Sequence, residues 1–367
     1  MPLAMQASAS IHELAHSYSR QRTWTMLALA ALVLAVTLLA AGIGAMPIGP
    51  AQSLAILLER LGLPAPWSYS DAQAAVLMAI RLPRVLLGLL VGAALAAAGA
   101  SLQGLFRNPL ADPGLIGVST GAALAAALAI VLGNAIAGLL PPWLIAALLP
   151  LAAFGGGLAA TLAVYAVART GGRTDVARML LGGIALNAIA GAGIGLLIFA
   201  SNDQELRDLN FWLLGSLAGA TWDRLALAAP FLILPLVLLP RYARALNVLL
   251  MGERDAIHLG YAVESIKRRI ILLAALAVGA AVALTGVIGF VGLVVPHIVR
   301  LLIGPDHRSL FPASMLLGAS LLLLSDLVAR MIVLPAELPI GIVTSCIGGP
   351  FFLWLITRRR APGGWRC

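Results

Sequence analysis

Charge is what this 367-residue chain has least of: Asp, Glu, Lys and Arg make up 11% of it, while 61% is hydrophobic. Soluble domains carry about 25% charged residues, so the composition excludes one. Lysine is scarcer still. Nearly all of the 24 basic residues are arginine, and Lys267 is the single lysine. A phosphate-cradling GxxxxGK[ST] loop needs its lysine directly after a glycine. Lys267 follows Ile266, so no ATP-hydrolysing P-loop is present. There are two cysteines, Cys346 within an apolar run and Cys367 at the last position, and that pair supports neither a disulfide nor a metal framework. The five histidines form no metal set. His12, His16, His258 and His307 fall in charged segments and His297 stands alone behind Pro296 in an apolar run. Residues His12 to His16 spell HExxH, but they stand in the polar N-terminal segment with no further ligand set spaced behind them, so neither a catalytic nor a metal-ligating residue is expected. The net charge of +9 is not a nucleic-acid signature, because the arginines punctuate apolar runs instead of clustering with aromatics. That is how charge orients a membrane protein.

What is abundant is apolar run. About 20 apolar residues cross the ~30 Å of bilayer hydrocarbon. The runs give ten spans: 24–43, 81–106, 116–140, 143–167, 179–200, 224–240, 270–284, 288–303, 310–333 and 340–356. The first is too long for the apolar core of a secretory leader, about 7–15 residues, and is read as a membrane helix. Outside them lie a short amphipathic helix over 50–61 stopped by Gly62, a polar basic turn over 169–178, a polar loop over 201–209, a turn over 304–309, and the charged excursion 241–269. The fold class is therefore all-α, one polytopic membrane domain over 1–367, with a polar N-terminal segment 1–22 and a basic tail 358–367. Ten crossings put both termini on one side. Basic residues concentrate there while acidic ones divide almost evenly, so that side is expected to be cytoplasmic. A repeat of spans two to five in spans seven to ten would be inverted, a common plan in transporters.

The chain is organised around residues 81–126. Arg81 and Arg84 flank Pro83, and a Gly- and Ala-rich run follows. Small residues let helix backbones approach closely inside a bilayer, which places this helix in the middle of the bundle. Asn108, Pro109 and Leu110 then force a turn, since proline cannot continue the ladder. Arg81 and Arg84 share a helical face at i, i+3 spacing, with Arg330 at the same level. Three arginines on an otherwise arginine-poor side read either as interfacial anchors or as a docking site for an acidic partner. Asp326 and Arg330, one turn apart, read as an intramembrane ion pair, leaving Arg330 partly free for a partner. In 241–269 two short helical pieces meet at Gly252, the second ends at Gly260, and Met251, Ile257 and Leu259 alternate with charge. This reads either as a helix lying on the membrane or as a knob for a groove on a cytosolic partner.

The stretches RLPR, VGAALAAAGASLQGLFRNPLADPGLIGVSTGAA, GERDAIHLG, GVIGFVGLVVPHIVRLLIGPDHR and AELPIGIVTSCIGG resemble the FecCD-type permeases. These are the membrane subunits of type II ABC importers for haem, iron–siderophores and cobalamin. The resemblance implies a homodimer in the bacterial inner membrane, two separate ATPase subunits, and a periplasmic binding protein, with no permanently bound cofactor and no enzymatic activity of its own. It implies that Arg81, Arg84 and Arg330 engage that binding protein. It makes Gly252, Glu253, Arg254, Ile257, His258, Leu259 and Gly260 the element coupled to the ATPase, and Asn108, Pro109 and Leu110 part of a cytoplasmic gate. The GPDHRSLFPAS and PAELPIG stretches look closest to haem-uptake members, so haem is the expected substrate, with a siderophore or cobalamin as alternatives. An ion-coupled secondary transporter would need a protonatable relay, and only Asp326 is available.

Overall fold

A computed structural model describes residues 2–358, with side chains described outside 2–19, 134–137 and 358. The tail beyond 358, Cys367, and the side chains of His12 and His16 therefore lie outside the described residues. Thirteen α-helices follow one another among those residues, as α1 Pro2–Gly42, α2 Pro50–Arg60, α3 Asp71–Leu105, α4 Val118–Ile136, α5 Pro142–Ala168, α6 Val176–Ala200, α7 Asp203–Leu214, α8 Trp222–Leu249, α9 Glu253–His258, α10 Val263–Thr285, α11 Val291–Ile303, α12 His307–Met331 and α13 Ile340–Arg358. Eight of them are long and apolar enough to cross a bilayer, and α4 and α11 are shorter apolar helices. Together these are the ten spans expected. The only strands among the described residues are the two-residue pair β1 Arg169–Thr170 and β2 Arg173–Thr174, a hairpin between α5 and α6.

The expected central helix is central. The most apolar window of α3 is 78% buried, against 11% for α6. Helices α12, α10, α11 and α8 pack around α3, and Val91, Ala94, Ala96, Ala97, Ala98 and Ala100 have no accessible surface. The small side chains do this, because they let several backbones converge on one helix. Helix α11 has 13 residues, about 20 Å at 1.5 Å per residue, too short to cross alone. Irregular backbone at such depth is tolerated where protein buries it, and Val291, Val294 and Val295 are at most 1% exposed. His297 is buried and stands edge-on to Phe351.

Four segments differ from the sequence expectation, three of them because a capping signal outweighs polarity. Residues 201–209 form no loop. Asn202 accepts from the amides of Gln204 and Glu205, Glu205 returns a bond to the Asn202 amide, and α7 follows. This is a capping box. Helix α3 opens ten residues early at Asp71 through the same device on Ser70 and Gln73. Asp306 caps α12 through the Arg308 amide at 3.1 Å, so the turn over 304–309 ends at 306 and His307 is helical. The excursion 241–269 also shrinks, because the flanking helices extend into it: α8 runs on to Leu249 and α10 starts at Val263.

Residues Val76–Arg81 of α3 are π-helical, and Pro83 leaves one carbonyl of that stretch without a ladder partner. In an i→i+5 ladder the Met78 carbonyl would take its bond from residue 83, where proline has no N–H. The indole Nε1 of Trp222 donates to Met78 O at 2.7 Å instead, tying α8 to α3. Replacing Trp222 with Phe should cost about 1 kcal/mol, a modest amount because the bond is exposed. Thermal unfolding of the detergent-purified protein would measure it.

Candidate functional site

Two polar clusters sit at opposite ends of the bundle. At one end α1 runs out at Gly42 with no basic residue in its last turn, leaving carbonyls without partners. Arginines from other helices satisfy them. Arg81 donates to the carbonyls of Ala41 at 2.7 Å, Gly42 at 2.6 Å and Met46, and Arg330 donates to Ala40 O at 2.6 Å. Cations belong at a helix C-terminus, where the dipole is negative. Arg84 forms a fork with Asp326, with Nε at 3.1 Å from Oδ2 and Nη2 at 2.8 Å from Oδ1. Its Nη1 and Nη2 each lie 2.9 Å from an oxygen of Glu337. The closest partner of Asp326 is thus Arg84, from another helix. Arg330 Nε stays 3.8 Å from Asp326 Oδ2, beyond hydrogen-bonding distance.

The geometry adds two details to the sequence reading. The expected pair Asp326–Arg330 is present as an ion pair at 3.8 Å, and Arg84 joins it more closely, because Arg84 reaches the carboxylate in bidentate geometry while Arg330 is held by the end of α1. The three arginines are also not displayed: Arg81, Arg84 and Arg330 are 4%, 7% and 7% exposed. They join α1, α3 and α12. Glu337 contributes from the short connection to α13, and its side chain is 39% exposed.

At the other end α3 closes in the expected turn. Asn108 Oδ1 accepts from the Leu110 amide at 2.9 Å and Asn108 O from the Ala111 amide at 3.1 Å, bending the chain around Pro109. Burial pushes the Asp112 carboxyl up, partly offset by a bond from the Gly114 amide. A further network binds α1, α8 and α12. Asp306 accepts from Asn247 Nδ2 at 2.7 Å and pairs with Arg22 at 3.3 Å, and Asn247 Oδ1 lies 2.8 Å from His307 Nδ1. Burial raises the Asp306 carboxyl, but Asn247, the Arg308 amide, Arg22 and Arg308 outweigh it and hold the group below its usual range.

The segment 250–262 lies at this end. Gly252, at φ 143°, precedes α9 and Gly260, at φ 83°, follows it, backbone that residues with a Cβ rarely adopt. Ala256 is fully buried, while Met251, Ile257 and Leu259 are 71%, 55% and 62% exposed and Arg254 and His258 are exposed beside them. Glu253 turns inward to Lys267 Nζ at 2.7 Å. A cavity of about 590 Å³ opens next to it, lined by Arg107, Arg173, Arg178 and Glu253 among others. Sequence reasoning missed Glu337, Asn247 and the partners of Lys267, since no spacing rule links residues so far apart. The capping signals that place Asp306 were readable.

The profile of the FecCD transport family matches residues 32–358. The chain is 47% identical to the hemin transport system permease protein of Yersinia pestis over 80% of its length and 86% of that protein's. It is 44% identical to the cobalamin import system permease protein of Halobacterium salinarum over 76% and 73%. It is 38% identical to the vitamin B12 import system permease protein of Vibrio vulnificus over 95% and 98%. A solved structure described as an inward-facing conformation of a metal-chelate type ABC transporter superposes with a TM-score of 0.77 at 32% identity, covering 91% of this chain and 98% of that one. With its ten apolar helices, its buried central helix and this match over most of its length, the chain belongs to the FecCD transport family and is a multi-pass membrane permease.

Proposed function

We propose that the chain is the permease subunit of a type II ABC importer that moves haem inward across the bacterial inner membrane. In this reading the α9 end, with both termini, faces the cytoplasm. Two copies enclose a central path, two separate ATP-binding-cassette subunits bind below, and a periplasmic binding protein docks above. The observation that carries the reading is the α9 segment. A six-residue helix between glycines presents apolar Met251, Ile257 and Leu259 beside Arg254, the pattern of a helix that fits a partner's groove. Its first residue is meanwhile anchored inward. The chain contributes no P-loop, so ATP hydrolysis falls to the partner. Binding of ATP would draw the two α9 segments together and swing the helices, with Asn108–Leu110 gating the inner mouth. No covalent step occurs in the permease.

Helix α6 supports a second copy, since Leu181, Ile184, Ile189, Leu196 and Phe199 are all more than half exposed. At the other end Arg81, Arg84 and Arg330 are spoken for. A docking protein would meet Arg84 by displacing Glu337, the one half-exposed member of the cluster. Haem is favoured by the Yersinia pestis relative, cobalamin by the two other permeases, and a ferric siderophore is a third candidate. Proteoliposomes holding the permease, its ATPase and its binding protein should accumulate haem only when ATP and both partners are present. Cobalamin accumulation without haem would keep the architecture and change the substrate. Uptake driven by an ion gradient alone would overturn the proposal.

A further inference from the structure

Lys267 is the chain's single lysine, and it is 2% exposed. Its ammonium has three protons and three acceptors: Glu253 Oε2 at 2.7 Å, Thr174 O at 3.0 Å and Glu264 Oε1 at 3.1 Å. These come from three elements. Glu253 opens α9, Thr174 ends β2 one residue before Asp175, the cap of α6, and Glu264 is on the first turn of α10. The other oxygen of Glu264 accepts from the Thr174 amide at 2.8 Å, so both backbone polar groups of Thr174 are held in one knot.

A buried ammonium is costly unless it is neutralised and fully bonded, and both conditions are met here. The chemistry also accounts for lysine in an arginine-rich chain. Three acceptors converging on one point suit a compact ammonium, whereas a guanidinium offers a flat fork. The knot is the charged link from the exposed α9 segment to the start of α6, a helix otherwise little covered by the rest of the chain.

We infer that Lys267 is a positioning residue that passes movement of the α9 segment to α6 through Glu253 and Thr174, so that work done at α9 reaches the helices of the path. The inference rests on the proposed role of α9 as the ATPase-facing segment. A clamp that served folding alone would hold the same atoms, so the test must read movement and coupling as well as stability.

Spin labels placed at Asp255→Cys, in α9, or at Arg178→Cys, in α6, with Cys346 and Cys367 replaced by serine, report the distance between two copies in the complete complex. In the parent protein ATP should change both distances. In Lys267→Met the change at 255 should persist and the change at 178 should be lost, and transport per ATP hydrolysed should fall by at least about fivefold, the lower range of typical coupling between sites. Lys267→Arg preserves the charge and serves if the methionine variant fails to fold. It should assemble and still lose the change at 178, because its fork cannot reach three converging acceptors. Retention of the change at 178 in either assembled variant, with transport per ATP unaltered, would overturn the inference. Absence of any change at 255 in the parent would instead overturn the ATPase-facing role of α9.

Discussion

Asp326→Asn should be among the most damaging single substitutions in this protein, costing about 3–5 kcal/mol, the range for removing one partner of a buried ion pair. The carboxylate is 2% exposed and lies between Arg84 and Arg330, both 7% exposed. Asparagine keeps the shape and loses the charge, leaving two buried guanidinia with Glu337 as their only nearby carboxylate among the described residues. The reverse change is expected to be milder. In Arg84→Gln the Asp326 carboxylate can close the 3.8 Å gap to Arg330 and regain a partner, so the loss should stay near about 1.5–3 kcal/mol, the worth of charged hydrogen bonds. Glu337→Gln should cost less than about 1 kcal/mol, since exposed ion pairs contribute little and this side chain is 39% exposed. Thermal or denaturant unfolding of the three purified variants gives the order. A Glu337 effect equal to that of Asp326 would mean that the cluster is held from its rim and not from its buried centre.

That order was not visible in the sequence, although its parts were. Arg81, Arg84, Asp326 and Arg330 stand out because charge is costly within apolar runs. Helical spacing pairs Asp326 with Arg330 and has nothing to say about Arg84, which is 242 residues away in the chain. Nor does any local pattern reveal that Arg81 and Arg330 cap a helix from outside it. The ten spans were legible because hydrophobic length is a property of contiguous residues. So was the hinge pair Gly252 and Gly260, because glycine marks where the backbone must turn. What misled was polarity outside the bilayer: residues 201–209 look like a loop by composition, yet the Asn202–Glu205 capping box is a helix start written in four residues. Lys267 was conspicuous by rarity, and its role depends on three elements that only the fold brings together.

The central helix was the most legible feature, and it supplies the second large expected effect. Gly99→Ala should fail to give a stable bundle or should cost at least about 3 kcal/mol, the upper end for overpacking. A Cβ at Gly99 would lie 1.8 Å from Gly292 O and 2.5 Å from Gly292 C. Those atoms are the backbone at the start of α11, which has no side chain to rotate away. The same helix makes a second crossing at Gly92, whose added Cβ would stand 2.4 Å from Gly318 O on α12. Two helices are thus seated on α3 at glycines seven positions apart, roughly two turns of helix. Gly155→Ala on α5 is the matched control. It makes the same change within a helix, but nothing lies within 4 Å of the new methyl group, so the better helix propensity of alanine, about 1 kcal/mol, should leave stability unchanged or raised. Opposite signs for the two substitutions, read as shifts in unfolding temperature in detergent, are the expected outcome. Equal and small effects would mean that α11 can slide along α3 without loss, and that the close crossing is not what holds the short helix in place.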